Sequence, residues 1–181
     1  MKIITLLLLF SFNSFAGSEA KIKKNMDLIS EYMRKYSGYN TDKHETIHHL
    51  ARQNSDDQCT LDLQLSYIRY SVDGTRVAVN PSKIYLKVDM RNVDRSGFSI
   101  VETVDYHHGA DTYLIYVKAK NGMSFPVSMY KTRHGDRLNW AFYPEDYVSS
   151  TYFDDIYLIT RYKHKNVVKA LKKLTRLCRK L

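Results

Sequence analysis

Apolar residues recur along the chain with two different periods, and the switches between them divide it into three parts. Over residues 18–36, Ile22, Met26, Ile29, Met33 and Tyr36 fall at the spacing of one helical face. Ser37 and Gly38 follow as the stop signal. Asn40 or Thr41 then stands where a helix N-cap is expected, and Asp42 and Glu45 fall in the turn after it, where the helix dipole favours negative charge. A second, shorter helix is predicted over 42–53, closed by the polar run from Asn54 to Asp57.

From Cys59 to about Ile159 the period drops to two. Leu61, Leu63, Leu65 and Tyr67 alternate with Asp62, Gln64 and Ser66, the pattern of a strand wet on one side. Asp73-Gly74 is a hairpin signal, and Arg76 to Val79 makes a short return strand stopped by Asn80-Pro81. Ile84 to Met90 alternate again. Phe98, Ile100, Val104 and Tyr106 follow, with an irregularity at Val101 that a bulge would absorb. Tyr113 to Ala119 comes next, and Asn121-Gly122 is the strongest hairpin signal in the chain. Met123 to Met129 returns from it, with Pro126 placing that strand at an edge or a bulge. Leu138, Trp140 and Phe142 predict a further strand, and Ile156 to Ile159 a last short one. With no helical pattern between them, about seven strands should form an antiparallel meander, curved or closed part-way into a barrel.

The helical period returns at the end. Val167, Ala170, Leu171, Leu174 and Cys178 share one side, and Lys165, Lys169, Lys172, Lys173, Arg176 and Lys180 fill the rest. A stripe that narrow must lie against something, and the strand-rich segment is the partner large enough. The expected class is therefore α+β: two N-terminal helices, the curved sheet, and an amphipathic C-terminal helix packed on it. A strand run followed by such a helix is similar in outline to pleckstrin-homology-like barrels, a likeness that implies architecture and no function.

Composition adds the compartment. Lys2, the apolar run Ile3 to Phe10 and the small residues of Ser14-Phe15-Ala16 have the form of a secretory signal peptide over 1–16. That leaves 17–181 as one globular domain, and no later run approaches the roughly 20 apolar residues of a membrane-spanning helix. The expected destination is the periplasm or the medium. Cys59 and Cys178 are the two cysteines of the chain, and an oxidising compartment would let them bridge, clamping the last helix to the sheet. Fifteen tyrosines fit half-buried pleated surfaces.

Charge is concentrated at one end. Residues 161–181 carry nine Lys and Arg and no acid, as much as the whole net charge of +9, so the rest of the chain is balanced. Lys165, Lys169, Lys172, Lys173, Arg176 and Arg179 are the candidate contacts for an acidic protein or anionic envelope component. Nucleic acid is disfavoured, because no recognition motif accompanies the charge and the leader sends the chain outside.

Two groups of histidines suggest metal. His44-Glu45-Thr46-Ile47-His48 matches H-E-x-x-H, in which two histidines one helical turn apart hold zinc and the glutamate acts as base. Charged Asp42 and Lys43 precede it, and no third ligand follows at the metzincin spacing. In a simple meander the loop with His107, His108 and Asp111 would lie near the loop with His134 and Asp136. No G-x-S-x-G, P-loop or dinucleotide fingerprint occurs. The pattern favours a binding domain without catalysis, of the kind that docks an acidic partner or acts as an inhibitor or immunity-type protein. A zinc hydrolase built on His44 and His48 is the rival.

Overall fold

A computed structural model describes the backbone of residues 2–36, 38–40, 45–70, 76–77, 83–104, 111–131, 140, 142–161 and 164–181. Side chains are described for 17–36, 49–66, 83–102, 112–131, 140, 142–160 and 165–181. Helix α1 (Lys2–Tyr36) contains the stripe read from the sequence: Ile22, Met26, Ile29 and Met33 are fully buried. Its helical path extends back to Lys2. Helix α2 (His164–Cys178) buries Val167, Ala170, Leu171, Leu174 and Cys178 as expected, together with Val168. Buried Thr175 satisfies its hydroxyl on the Leu171 carbonyl at 3.0 Å.

The strands form two sheets, and among the described residues neither closes into a barrel. β1 (Gly38–Asn40), β2 (Glu45–Gln53), β3 (Thr60–Tyr70), β5 (Lys83–Asp89), β8 (Phe125–Tyr130) and β9 (Tyr147–Phe153) are hydrogen-bonded in that order, and β4 (Arg76–Val77) pairs with β3. β10 (Asp155–Arg161), β7 (Asp111–Ala119) and β6 (Val93–Val104) form the second sheet in the order β10-β7-β6. The pairings are antiparallel. α1 lies on β2 and against α2, and α2 lies on β6 and β7. Both helices and the facing sides of both sheets share one core, with Leu61, Leu63, Leu86, Ile115, Leu158 and Phe125 at its centre.

The expected second helix over 42–53 is not formed. Glu45–Gln53 is a nine-residue strand paired with β3 from Glu45↔Arg69 to Gln53↔Leu61. An N-cap contributes about 1 kcal/mol. Laddered amides and buried side chains contribute comparable amounts at position after position, so pairing wins. Ala51 and His49 are buried on the inner side of β2, and His49 also reaches the second sheet, its ring 5.9 Å from that of Tyr157.

The single meander also gives way to two sheets. Asn121-Gly122 does form a turn, closed by Met123 N–H on the Lys120 carbonyl at 2.9 Å with Gly122 at φ 75°. It joins β7 to β8, which lie in different sheets. Three changes of sheet, around Asn92, Lys120 and Asp154, are laced together by Lys120 N–H to Asn92 and Ala119 N–H to Asp154, each 2.8 Å. The β6 irregularity lies between Val93 and Phe98 instead of at Val101. Gly97 stands inside it, where an added Cβ would come 2.8 Å from that of Lys118. Pro126 is in β8 beyond the end of its pairing with β5, facing β9 alone. Trp140 and Phe142 belong to no strand, β9 was not expected, and Asp73-Gly74 and Leu138 lie outside the described residues.

Cys59 and Cys178 are bridged, with their Cα atoms 5.6 Å apart. The bond ties the last turn of α2 to the head of β3. The segment beside it is held by Asp57, which accepts from Cys59 N–H at 3.0 Å, from the Thr60 hydroxyl at 2.8 Å and from the Arg91 guanidinium. Burial alone would raise the Asp57 carboxyl, but those three donors outweigh it and hold the group below the usual carboxylate range.

Candidate functional site

The outer face of α2 is set by its inner one. With Val167, Leu171, Leu174 and Cys178 fixed inward, Lys165, Lys169, Lys172, Lys173 and Arg176 are exposed. These five cations, with Val168 and Ile100 of β6, line a groove of about 460 Å³ between the helix and the edge of the second sheet. Among the described residues none of the five is in a salt bridge. Aliphatic surface from Val168 and Ile100 beside four ammonium groups and a guanidinium suits a ligand with carboxylate or phosphate charge and some apolar content.

Arg179 is not one of the groove residues. Its guanidinium donates to the Val93 carbonyl, and it is mostly enclosed where α2 meets the start of β6. Nearby, the amide and hydroxyl of Ser96 hold the exposed Asp94 carboxyl below its usual range, and the positive field of Arg179 acts in the same direction. Arg179 thus anchors the helix end, while the five residues before it are free to meet a partner.

No protein-family model matches the chain, and no characterised protein or solved structure matches it.

Beside the groove, β6 is an edge strand. Among the described residues, its pairing from Phe98 to Val104 is with β7 alone. Ile100 is 41% and Val101 47% exposed, on opposite faces of the strand, between exposed Ser99 and Glu102.

A second constellation was not legible in the sequence. Asp62, Gln64 and Ser66 were expected to face water, yet Asp62 is 1% exposed and Gln64 fully buried. Asp62 accepts from Asn54 Nδ2 at 2.9 Å and pairs with Arg52 Nε at 3.4 Å. Burial, and then a hydrogen bond to Asp62, raise the Tyr85 hydroxyl well above its ordinary pKa. Trp140 covers the Arg52 guanidinium at 4.3 Å, and Phe142 packs on Tyr85 at 5.0 Å and beside Lys83 at 5.2 Å. The groups resemble acid–base machinery, but they are engaged with one another beneath aromatic rings. The alternation of β3 showed the polar face, and nothing local said that Trp140 and Phe142 would cover it.

The helix and the single meander that the two metal readings assumed are not formed. Glu45 to His48 lies in β2, where positions four apart are separated by about 13 Å along the strand, so the one-turn helical spacing does not arise. His44, His107, His108 and His134 lie outside the described residues. The meander that would have gathered their loops is replaced by two sheets. Among the described residues no group of three or more His, Cys, Asp or Glu is placed to hold a metal ion. A further cleft, about 340 Å³, opens between the sheets over Leu63, Leu65 and Leu86, bordered by Phe153 and Tyr157. It is apolar apart from Asp155 and Tyr157.

Proposed function

We propose that this chain is an exported binding domain without catalytic activity, which docks an acidic segment of a partner protein in the groove between α2 and β6. The observation that carries the reading is the row of five exposed cations on one helix, without salt bridges among the described residues, in a groove that Val168 and Ile100 also line. A cationic end on an otherwise charge-balanced body orients an acidic partner before contact and speeds its association at low salt. An inhibitor or immunity-type protein that caps a secreted enzyme would use such a surface.

Export to the periplasm or the medium, with loss of 1–16, is part of the same proposal. Lys2, the run Ile3 to Phe10 and Ser14 to Ala16 support it, and the Cys59–Cys178 bridge suits an oxidising compartment. Among the described residues no helix is long and apolar enough to cross a membrane.

The test is charge reversal of Lys169, Lys172, Lys173 and Arg176 to Glu, with retention measured on polyglutamate resin and on vesicles of phosphatidylglycerol. The wild type should be held by the resin at low salt and released as salt rises, and the variant should flow through. Equal retention of both proteins would remove the basic face from the function. Strong retention by vesicles with none on the resin would replace the acidic protein with an anionic membrane.

A further inference from the structure

We infer that the free edge of β6 takes an extended acidic segment of the partner as a fourth strand of the smaller sheet, in the order β10-β7-β6-partner. The inference rests on the proposed docking role of the groove and specifies how the groove is filled.

Three observations converge on it. The first is an edge that, among the described residues, pairs with no further strand. Natural sheets protect exposed edges with lysine, proline, bulges or a covering element. The bulge of β6 ends at Phe98, and from Phe98 to Val104 the strand reads Phe-Ser-Ile-Val-Glu-Thr-Val, with no lysine or proline. Ile100 and Val101 hold large apolar area in water on both of its faces.

The second is position. An added strand lies about 4.8 Å from its neighbour and sends alternate side chains to the two faces of the sheet. Ile100 lines the groove, so a partner residue opposite Ile100 projects on the same side, towards Val168 and the cations of α2. Its neighbours project to the side of Val101. The edge would supply backbone hydrogen bonds, while the groove would select side chains, as in other cases of strand addition.

The third is charge, which decides the occupant. A second copy of this chain, pairing β6 to β6, would bring two sets of five cations to one seam. The acid that alternation puts on the Ile100 side of β6 is a single Glu102. An acidic strand instead meets five cations and buries Ile100 and Val101. The expected partner segment alternates Glu or Asp, on the groove side, with β-branched residues on the other.

The experiment titrates the purified protein with three fluorescein-labelled peptides and follows amide hydrogen exchange. One peptide alternates Glu and Val. The second keeps every Glu and has Pro in place of every Val, so it has the same charge but is held in the threefold polyproline II form, which does not match the twofold repeat of a strand. The third has Lys in place of Glu. The Glu-Val peptide should bind and slow exchange at Ser99 to Glu102. The proline form should bind about tenfold more weakly without that protection, and the Lys form should not bind. Equal binding of both acidic peptides with unchanged β6 exchange would overturn strand addition and leave the basic groove standing. Binding of neither would remove both. Protection of β6 in protein alone, rising with its concentration as sedimentation shows a dimer, would assign the edge to self-association and overturn the acidic partner.

Discussion

Cys178, in the last turn of α2, is bonded to Cys59, at the head of β3, across 119 residues of sequence. The loop so closed contains β3 to β10, and the cationic helix is attached to the sheets at its far end. On the chain-entropy view, closing a loop of this length stabilises by about 4 to 5 kcal/mol, and removal of native bridges from small domains costs about 2 to 5 kcal/mol. Replacing both cysteines by Ala should lower the urea midpoint accordingly. Hydrogen exchange should show α2 losing protection before β3 and β5. Unchanged stability would mean that the buried stripe of α2 holds the helix unaided.

Asp62 organises the polar side of β3, and its loss leaves Asn54, Arg52 and Tyr85 without an acceptor. Asp62→Ala should cost about 1 to 2 kcal/mol, from the lost hydrogen bonds, because half-exposed Arg52 and the partly exposed Asn54 and Tyr85 can turn to water, while Asp62→Asn should cost less because a carbonyl remains. Urea denaturation measures both. The Tyr85 hydroxyl should ionise among the last in an alkaline titration. Asp62→Ala should bring it only part of the way back, since burial is the larger cause.

Asp57 gives the stability a defined slope in acid. Its carboxyl is lowered in the folded protein, so its contribution is complete above the unfolded value of about 3.9 and is lost as pH falls through the folded one. Wild type should therefore exceed Asp57→Asn in stability at neutral pH, and the two should converge below about pH 4. Parallel curves down to the acid limit would show that the Cys59, Thr60 and Arg91 contacts do not hold the charged form.

Two glycines are required for different reasons. At Gly97 an added Cβ would meet the Cβ atoms of Lys118 and Asp94 at 2.8 and 2.9 Å, both attached directly to backbone, so Gly97→Ala should cost about 1 to 3 kcal/mol. At Gly122 there is space, but φ is +75°, and Gly122→Ala should cost about 1 kcal/mol through backbone strain. Gly17→Ala, inside α1 with nothing within 4 Å, should be neutral to about 1 kcal/mol stabilising. Thermal denaturation of the three variants orders them.

What the sequence made legible follows from the reach of each signal. The stripe of α1 and the two faces of α2 depend on burial within one helix, and a 3.6-residue period reports that directly. Leu61, Leu63 and Leu65 likewise announced β3. β2 was missed because caps at Asn40 to Glu45 are local, while the strand is made by a partner 8 to 24 residues away, from Gln53↔Leu61 to Glu45↔Arg69. His49, a polar residue buried in β2 between them, hid the alternation of Ile47 and Ala51 in the sequence. The turn at Asn121-Gly122 was legible as a turn, and its local chemistry is the same whether the following strand pairs back or crosses to another sheet. Within the candidate site the five groove cations could be read from spacing alone. Arg179 could not be told from them, because its Val93 acceptor is 86 positions away.

The most direct test of a cationic groove as the docking surface is an amide NMR titration of the ¹⁵N-labelled protein with the Glu-Val peptide. Shifts that saturate and cluster at Lys165 to Arg176 and Phe98 to Glu102, and that weaken with added salt, are the predicted result. Saturable shifts centred instead on the cleft over Leu63 and Leu86, or on the Trp140 and Tyr85 side of the larger sheet, would contradict the account.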